Sequence, residues 1–402
     1  MQSPTSPRSL YVHVPFCAHR CGYCDFVTTS RSPELHERYV AALRRELELR
    51  SPHTTAPGSF DTIFIGGGTP TLLEPAALEA LLTFTGELAA PGAEITIECN
   101  PETVDDALAR RLVDGGVHRV SLGAQSFSPH VLATLERRAE PETVRRAVAM
   151  LREAGVSRLS LDLIWGVPGQ TVDDVTHDLV EALKLGPDHL SAYELEFKPG
   201  TRLTHAQGGV EAALTNLGEQ GDDFYDLVID HLESAGWWWY ETANFARTPD
   251  ERCRHNLAYW QADPWVGIGV GAVETLHADA GASGPAGGLH RRTNLPNVPR
   301  WLNAVESGEL PPSRDEAVDA RTARTERVML GLRLDAPVQI AAQDVLDGIV
   351  DGSGLERVCE LELGTVTMVP SPDGVLRGDA ELRLTRRGRM LQGSVGSLLL
   401  DP

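Results

Sequence analysis

Leu10-Tyr11-Val12-His13-Val14-Pro15-Phe16-Cys17 opens with five residues of strand character, meets a proline, and delivers a cysteine just past the strand end. A short apolar run of this kind fits a buried strand, and Pro15 cannot donate to a sheet ladder, so the strand stops there. Helical spacing follows from Pro33 to about Leu49. The same unit then repeats. Thr62-Ile63-Phe64-Ile65, ending in Gly66-Gly67-Gly68-Thr69, precedes helical spacing from Pro75 to Leu88, and Glu94 to Glu98 precedes a helix near Val104 to Asp114. Arg119 to Leu122 leads into helical segments between Pro129 and Ala154, Ser157 to Leu163 leads into Val172 to Leu185, and His189 to Leu195 reads as a sixth strand. Six strand-helix repeats predict an α/β fold with a parallel sheet.

Such a series fits either an open doubly wound sheet or an incomplete barrel, and the polar residues favour the barrel. Cys17, the Gly66 to Thr69 loop, Glu98, Gln125 and Asp162 all fall at or just beyond the C-terminal ends of their strands. A barrel gathers those ends on one face, whereas an open sheet spreads them along an edge. The expected architecture is a partial (β/α)6 barrel over residues 1–200. An auxiliary region over 201–315 follows, with a helix from Leu214 to Ala235, the run Trp237-Trp238-Trp239-Tyr240 and a loop-like stretch from Ala278 to Gly288 that reads as mobile. Residues 316–402 read as a small C-terminal α+β, winged-helix-like domain, with a helix from Arg321 to Leu334 and strands around Thr365 to Val369 and Leu382 to Leu384.

Composition narrows the function classes. The chain has 402 residues, 42% of them hydrophobic, and no stretch approaches the roughly 18 uninterrupted apolar residues of a membrane span. Its 57 acidic against 36 basic side chains give a formal charge of -21, so a phosphate backbone is repelled and nucleic acid is not an expected partner. The first eight residues lack a charged segment leading into an apolar core, which reads as a cytoplasmic chain.

Three of the six cysteines lie within eight residues, as Cys17, Cys21 and Cys24, while Cys99, Cys253 and Cys359 stand alone. Clustered thiols in such a chain point to metal ligands or redox groups rather than crosslinks. Zinc would take a fourth ligand from His13 or His19, and an iron-sulfur cluster held by three cysteines would keep one iron open for another ligand. Cys99 and Cys359 read as ordinary buried thiols.

The spacing Cys-x3-Cys-x2-Cys after a first strand resembles the radical S-adenosylmethionine superfamily. That resemblance implies a [4Fe-4S] cluster on Cys17, Cys21 and Cys24, with S-adenosylmethionine chelating the remaining iron. Tyr23, two residues after Cys21, and the Gly66-Gly67-Gly68-Thr69-Pro70 strand end fit the same pattern. Tyr11 to Cys17, Glu98-Cys99-Asn100-Pro101-Glu102, Gly123-Ala124-Gln125-Ser126-Phe127, Arg137 and Asp162 to Thr171 resemble, in order, the coproporphyrinogen oxidase-like branch. By that resemblance Tyr11, Tyr23, Gly67, Gly68, Thr69, Glu98, Gln125, Arg137 and Asp162 would line the S-adenosylmethionine pocket. Carboxylates there can accept from ribose or amine groups, and an arginine can pair with the ligand's carboxylate.

Two features separate subgroups of this branch. The oxidase carries a further cysteine two residues after the triad, where this chain has Asp25-Phe26, and His255-Asn256-Leu257-Ala258-Tyr259-Trp260 is similar to a motif of the haem chaperones. The resemblance therefore implies haem as cargo, His255 as its candidate axial ligand, and delivery to an acceptor protein that the sequence does not name, of respiratory cytochrome type, through at most a peripheral membrane contact. The alternative is oxygen-independent decarboxylation of coproporphyrinogen III to protoporphyrinogen IX. The Trp237 to Trp239 run reads as packing of the auxiliary region against the barrel.

Overall fold

The computed structural model of the chain describes residues 7–29, 33–50, 56–218, 220–278, 287–368 and 379–400. Most of the stretch read as a mobile loop, together with Val369, lies outside them. Six parallel strands open the fold: β1 (Ser9–Val14), β2 (Phe60–Gly67), β3 (Ala89–Cys99), β4 (Arg119–Gln125), β5 (Arg158–Trp165) and β6 (His189–Glu194). They lie side by side in that sequential order. A doubly wound sheet must reverse its strand order at a switch point, and none occurs among these six. With right-handed crossovers throughout, unreversed order puts every helix on one face and curls the sheet towards a barrel.

The side chains obey the same geometry. On β1 Leu10, Val12 and Val14 are fully buried towards the helices, as are Ile63 and Ile65 on β2, Val120 and Leu122 on β4, and Leu159 and Leu161 on β5. The alternate positions carry Phe64, Thr96, Glu98, Ser121, Ser160, Asp162 and Ser191, and all of these line one internal cavity. A period of two thus makes an apolar outer wall and a polar lumen.

The segment after the sixth strand extends this sheet at both edges. Beyond β6 stand β7 (Trp238–Trp239) and β8 (Asn244–Ala246), and beyond β1 stand β9 (Trp265–Ile268), β10 (Val273–His277), β11 (Leu289–Asn294) and β12 (Ser313–Val318), giving twelve strands. β1 and β9 run parallel, with Tyr11 opposite Gly267. Trp237 and Trp239 are buried in the main core, which agrees with a packing role. The single helix expected from Leu214 to Ala235 is two, Val210–Leu217 and Gln220–Ser234. The break falls at Gly218, whose φ of 52° suits a residue without a Cβ.

Near the C-terminus β13 (Val338–Ile340), β14 (Gly364–Met368) and β15 (Ala380–Leu384) form an antiparallel sheet in the order 13-15-14. This sheet has its own apolar cluster, including Val328, Ile340, Val358, Leu382 and Val395. Cys359 corrects an expectation, because it is exposed. Its helix, Gly352–Glu360, buries Val358, and the next residue is rotated by about 100° towards solvent. Among the described residues no helix is long and apolar enough to cross a membrane.

Candidate functional site

The lumen holds a cavity of about 470 Å³ at the C-terminal ends of the parallel strands. That lies within the roughly 300–1,000 Å³ range of small-ligand sites. Cys17, Cys21 and Cys24 stand on the loop that leaves β1, and all three border the cavity. Tyr23, Gly67, Gly68, Thr69, Glu98, Gln125, Arg137 and Asp162 line it as well. Eight of the ten residues expected to bind cofactor or haem are therefore brought together with the three thiols.

Backbone geometry makes the rim. Gly67 has a φ of 110°, and a Cβ there would fall 2.5 Å from the His13 ring. A Cβ on Gly68 would meet the Phe16 carbonyl oxygen at 2.7 Å, so only glycine lets the β2 loop lie against the strand that leads to the cysteines. Thr69 Oγ1 is 3.6 Å from Cys17 Sγ and accepts from Asn100 Nδ2 at 3.0 Å. Gln125 has a φ of 67°, rare for a residue with a side chain, at a register irregularity between β4 and β5. A Cβ on Gly123 would meet Gln125 Nε2 at 2.7 Å, so the amide folds back over that glycine.

Charge is concentrated in the same space. Arg137 donates to Asn100 Oδ1 at 3.0 Å, to the Gly123 carbonyl at 2.9 Å and to Cys21 Sγ at 3.6 Å, while its buried Nε has no partner among the described residues. Glu98 Oε2 accepts the Gly67 N–H at 2.8 Å. Burial, with Asp162 nearby adding to it, pushes the Glu98 carboxyl up to about 8. Asp162 accepts from Ser121 Oγ at 2.9 Å, and burial lifts it to about 6 against the pull of its serine donors. Burial also raises the Cys17 thiol to about 11 and moves Cys24 in the same direction.

Tyr11 and His255 are not on this cavity. Tyr11 faces an adjoining groove, where its hydroxyl meets His13 Nδ1 at 3.0 Å. His255 is 1% exposed in the helix Arg254–Trp260, packed on Phe64 with ring centroids 5.3 Å apart. Both its nitrogens are engaged, Nδ1 with Thr62 Oγ1 at 2.9 Å and Nε2 with the Tyr259 hydroxyl at 2.9 Å. Burial lowers its pKa to about 3, so the ring is neutral.

That helix closes the end of the barrel opposite the cysteines, which the sequence reading did not anticipate. Glu94, paired with Thr62 just after a register shift between β2 and β3, takes the backbone N–H of Arg254 at 2.9 Å and pairs with Arg119 at 3.1 Å. Arg119 also donates to the Glu251 and Arg252 carbonyls at 3.0 Å each. Asn256, on the same helix, borders the cavity from below. Two charged residues near the strand ends opposite the cysteines, Glu94 and Arg119, were the available signal for this plug.

The comparisons agree with this geometry. The radical SAM superfamily is matched by residues 11–181. The chain is 36% identical over 411 residues to a protein of Mycobacterium tuberculosis named Heme chaperone HemW, an alignment covering 99% of this chain and 96% of the relative. The chain belongs to the HemW family. Further HemW proteins are similar to it, one from Bacillus subtilis at 31% identity over 82% of this chain and 84% of its own length, and one from Escherichia coli at 38% over 66% and 69%. Among solved structures, Escherichia coli coproporphyrinogen III oxidase, HemN, a radical SAM enzyme, superposes with a TM-score of 0.76 at 22% identity, covering 98% of this chain and 90% of that one. The likeness to HemN bears out the partial barrel expected from the strand repeats and the strand-end residues, while family membership rests on the HemW relatives.

Proposed function

We propose that this chain is a haem chaperone that holds a [4Fe-4S] cluster and S-adenosylmethionine in the barrel cavity and passes haem to an acceptor protein. The observation that carries the reading is the convergence of Cys17, Cys21 and Cys24 with Glu98, Gln125, Arg137 and Asp162 on one cavity, in a chain similar over nearly its whole length to curated haem chaperones.

The residues present fit the expected groups. Among the described residues no three His, Cys, Asp or Glu side chains come close enough to share a single metal ion. A cluster asks for something different, since each thiolate binds a different iron and the sulfurs stay apart around one cubane. Arg137 suits the ligand's carboxylate, because its Nε lacks a partner among the described residues while its Nη2 is fixed by Asn100 and Gly123 and its Nη1 lies against Cys21. Glu98 and Asp162 suit the amine and ribose hydroxyls, and ionise when a cation or donor replaces the water they lack. When bound, the cluster supplies an electron and an open iron site for S-adenosylmethionine. The chain's own residues bind and orient these groups, and the glycine loop and Tyr23 screen them from solvent.

We assign the barrel to residues 1–200, the haem-handling segment to 201–315 and an appended domain to 316–402. The separate apolar cluster of the last segment supports that division, and the middle segment acts as an extension of the barrel sheet. Haem is taken as cargo, the acceptor as a haem protein of respiratory type, and the compartment as the cytoplasm. The test is anaerobic reconstitution with iron and sulfide followed by a haem titration. A cluster absorption band with saturable haem uptake supports the reading, and a chain that assembles the cluster but takes up no haem refutes it.

A further inference from the structure

Next to the cavity lies a second depression of about 360 Å³, bordered by Tyr11, Phe26, Val27, Tyr259, Trp265 and Val273 among others. The Asp25-Phe26 segment, directly after the last cysteine of the triad, lines both spaces and separates them. Phe26 is 54% exposed, a large apolar side chain left in the open. Tyr259 and Trp265 meet edge to face with centroids 4.8 Å apart, and the Trp265 indole N–H is fixed on the Val273 carbonyl at 2.9 Å. These walls are flat, aromatic and rigid. Among the described residues Asp25 is the one carboxylate on the lining, and it sits on the partition.

Tyr259 is what this groove and His255 share. Thr62 donates its hydroxyl proton to Ser9 Oγ at 3.0 Å, so at His255 the Nδ1–H donates to Thr62 and the Nε2 lone pair accepts the Tyr259 hydroxyl. The free lone pair of a neutral imidazole is the atom that binds iron. In this structure it is capped by the side chain that forms the groove wall. The second imidazole at the groove, His13, has its nitrogens on the Tyr11 hydroxyl at 3.0 Å and the Val27 carbonyl at 3.3 Å.

We propose that haem lies in this groove against Trp265 and Phe26, and that Tyr259 is the gate through which its iron reaches His255. The proposal rests on the haem-binding reading above. The main cavity is the poorer site for the macrocycle, because Glu98, Asp162 and Arg137 would lose solvation against an apolar ring and gain nothing from it. The groove offers the reverse arrangement. It is open on one side, so the macrocycle meets the aromatic walls while the propionates stay in water. It also places the haem beside the segment that follows Cys24, so the cluster loop and the cargo share a wall.

The experiment uses the full chain, reconstituted with iron and sulfide and titrated with haem under visible absorption. Two variants lie on the groove and not on the cysteine cavity: Val273→Trp, which fills the groove, and Trp265→Leu, which removes a wall. Both are expected to weaken haem binding at least tenfold while iron, sulfide and S-adenosylmethionine binding match the wild type. Haem affinity unchanged in both, with the cluster intact, would overturn the groove and leave haem binding standing. If Val273→Trp does not fold, Trp265→Leu decides alone. A wild type that takes up no haem would sink the function reading, and the groove with it.

Discussion

Replacing Tyr259 by phenylalanine separates the gate from every other arrangement by the sign of its effect. In the structure the Tyr259 hydroxyl is 2.9 Å from His255 Nε2, and that contact must break before the nitrogen can bind iron. A hydrogen bond of this kind contributes about 0.5–1.5 kcal/mol net. Removing it should therefore strengthen haem binding by about 2- to 10-fold. The ring is retained, so the aromatic wall of the groove persists. Protonation does not compete, since burial holds His255 down to about 3. Tyr259 as the iron ligand would give the opposite result, although burial already disfavours its phenolate. The assay is a haem titration at pH 7.5 on reconstituted wild type, Tyr259→Phe and His255→Ala. Tighter binding in the first variant and weaker in the second is the expected outcome, and weaker or unchanged binding in Tyr259→Phe refutes the gate.

The other expectations concern the cavity and the plug. Cys17, Cys21 and Cys24 replaced together by alanine should leave a folded chain that retains no cluster iron or sulfide, since the three thiols on the cavity are the proposed ligands; full retention would refute the assignment. Glu98, lifted from 4.5 to about 8, takes up a proton on folding, so the unliganded fold loses stability as pH rises through that window. Glu98→Gln should flatten the slope above about 6, beyond most of the titration of Asp162 and Asp178, by on the order of 1–3 kcal/mol between urea midpoints at pH 6 and 9; an unaltered slope would show that Glu98 does not contribute to it. Arg119→Met leaves Glu94 buried and short of a partner 3.1 Å away, and should cost about 3–5 kcal/mol in thermal or urea unfolding. A loss below about 1 kcal/mol would mean that the plug does not depend on this pair.

Local physics made much of the fold legible. The helix expected at Pro75 to Leu88 is observed with those bounds, and Arg119 and His189 start their strands where expected. Alternation of period two and proline stops act over a few residues and are written in the chain directly. The long-range features were not. β9 pairs with β1 across some 250 residues, and nothing local in Trp265–Ile268 names that partner. At Leu214 to Ala235 the helical spacing continued across Gly218, but the backbone turns left-handed there and ends the helix.

The candidate site divides along the same line. Cys17, Glu98, Gln125 and Asp162 could be grouped from sequence because strand-end positions share one barrel face. Arg137 comes from a loop between helices, and only a family resemblance brought it in. His255 shows the limit most clearly. Its motif could be recognised, but its burial against Phe64 and the cap by Tyr259 depend on a helix closing the far end of the barrel. The Glu94–Arg119 pair that seats this helix lies towards the opposite ends of the strands that carry Glu98 and Gln125, and nothing local in the sequence joins the two charges to a helix some 130 residues further on.

The central claim, a haem carrier built on a radical SAM barrel, is tested most directly by one reconstituted sample divided between two assays. One portion is titrated with haem, and the other is supplied with coproporphyrinogen III, S-adenosylmethionine and a reductant. The account predicts saturable haem binding at about one equivalent per chain with no decarboxylation. Turnover to protoporphyrinogen IX without saturable haem binding would contradict it and make the chain an oxidase.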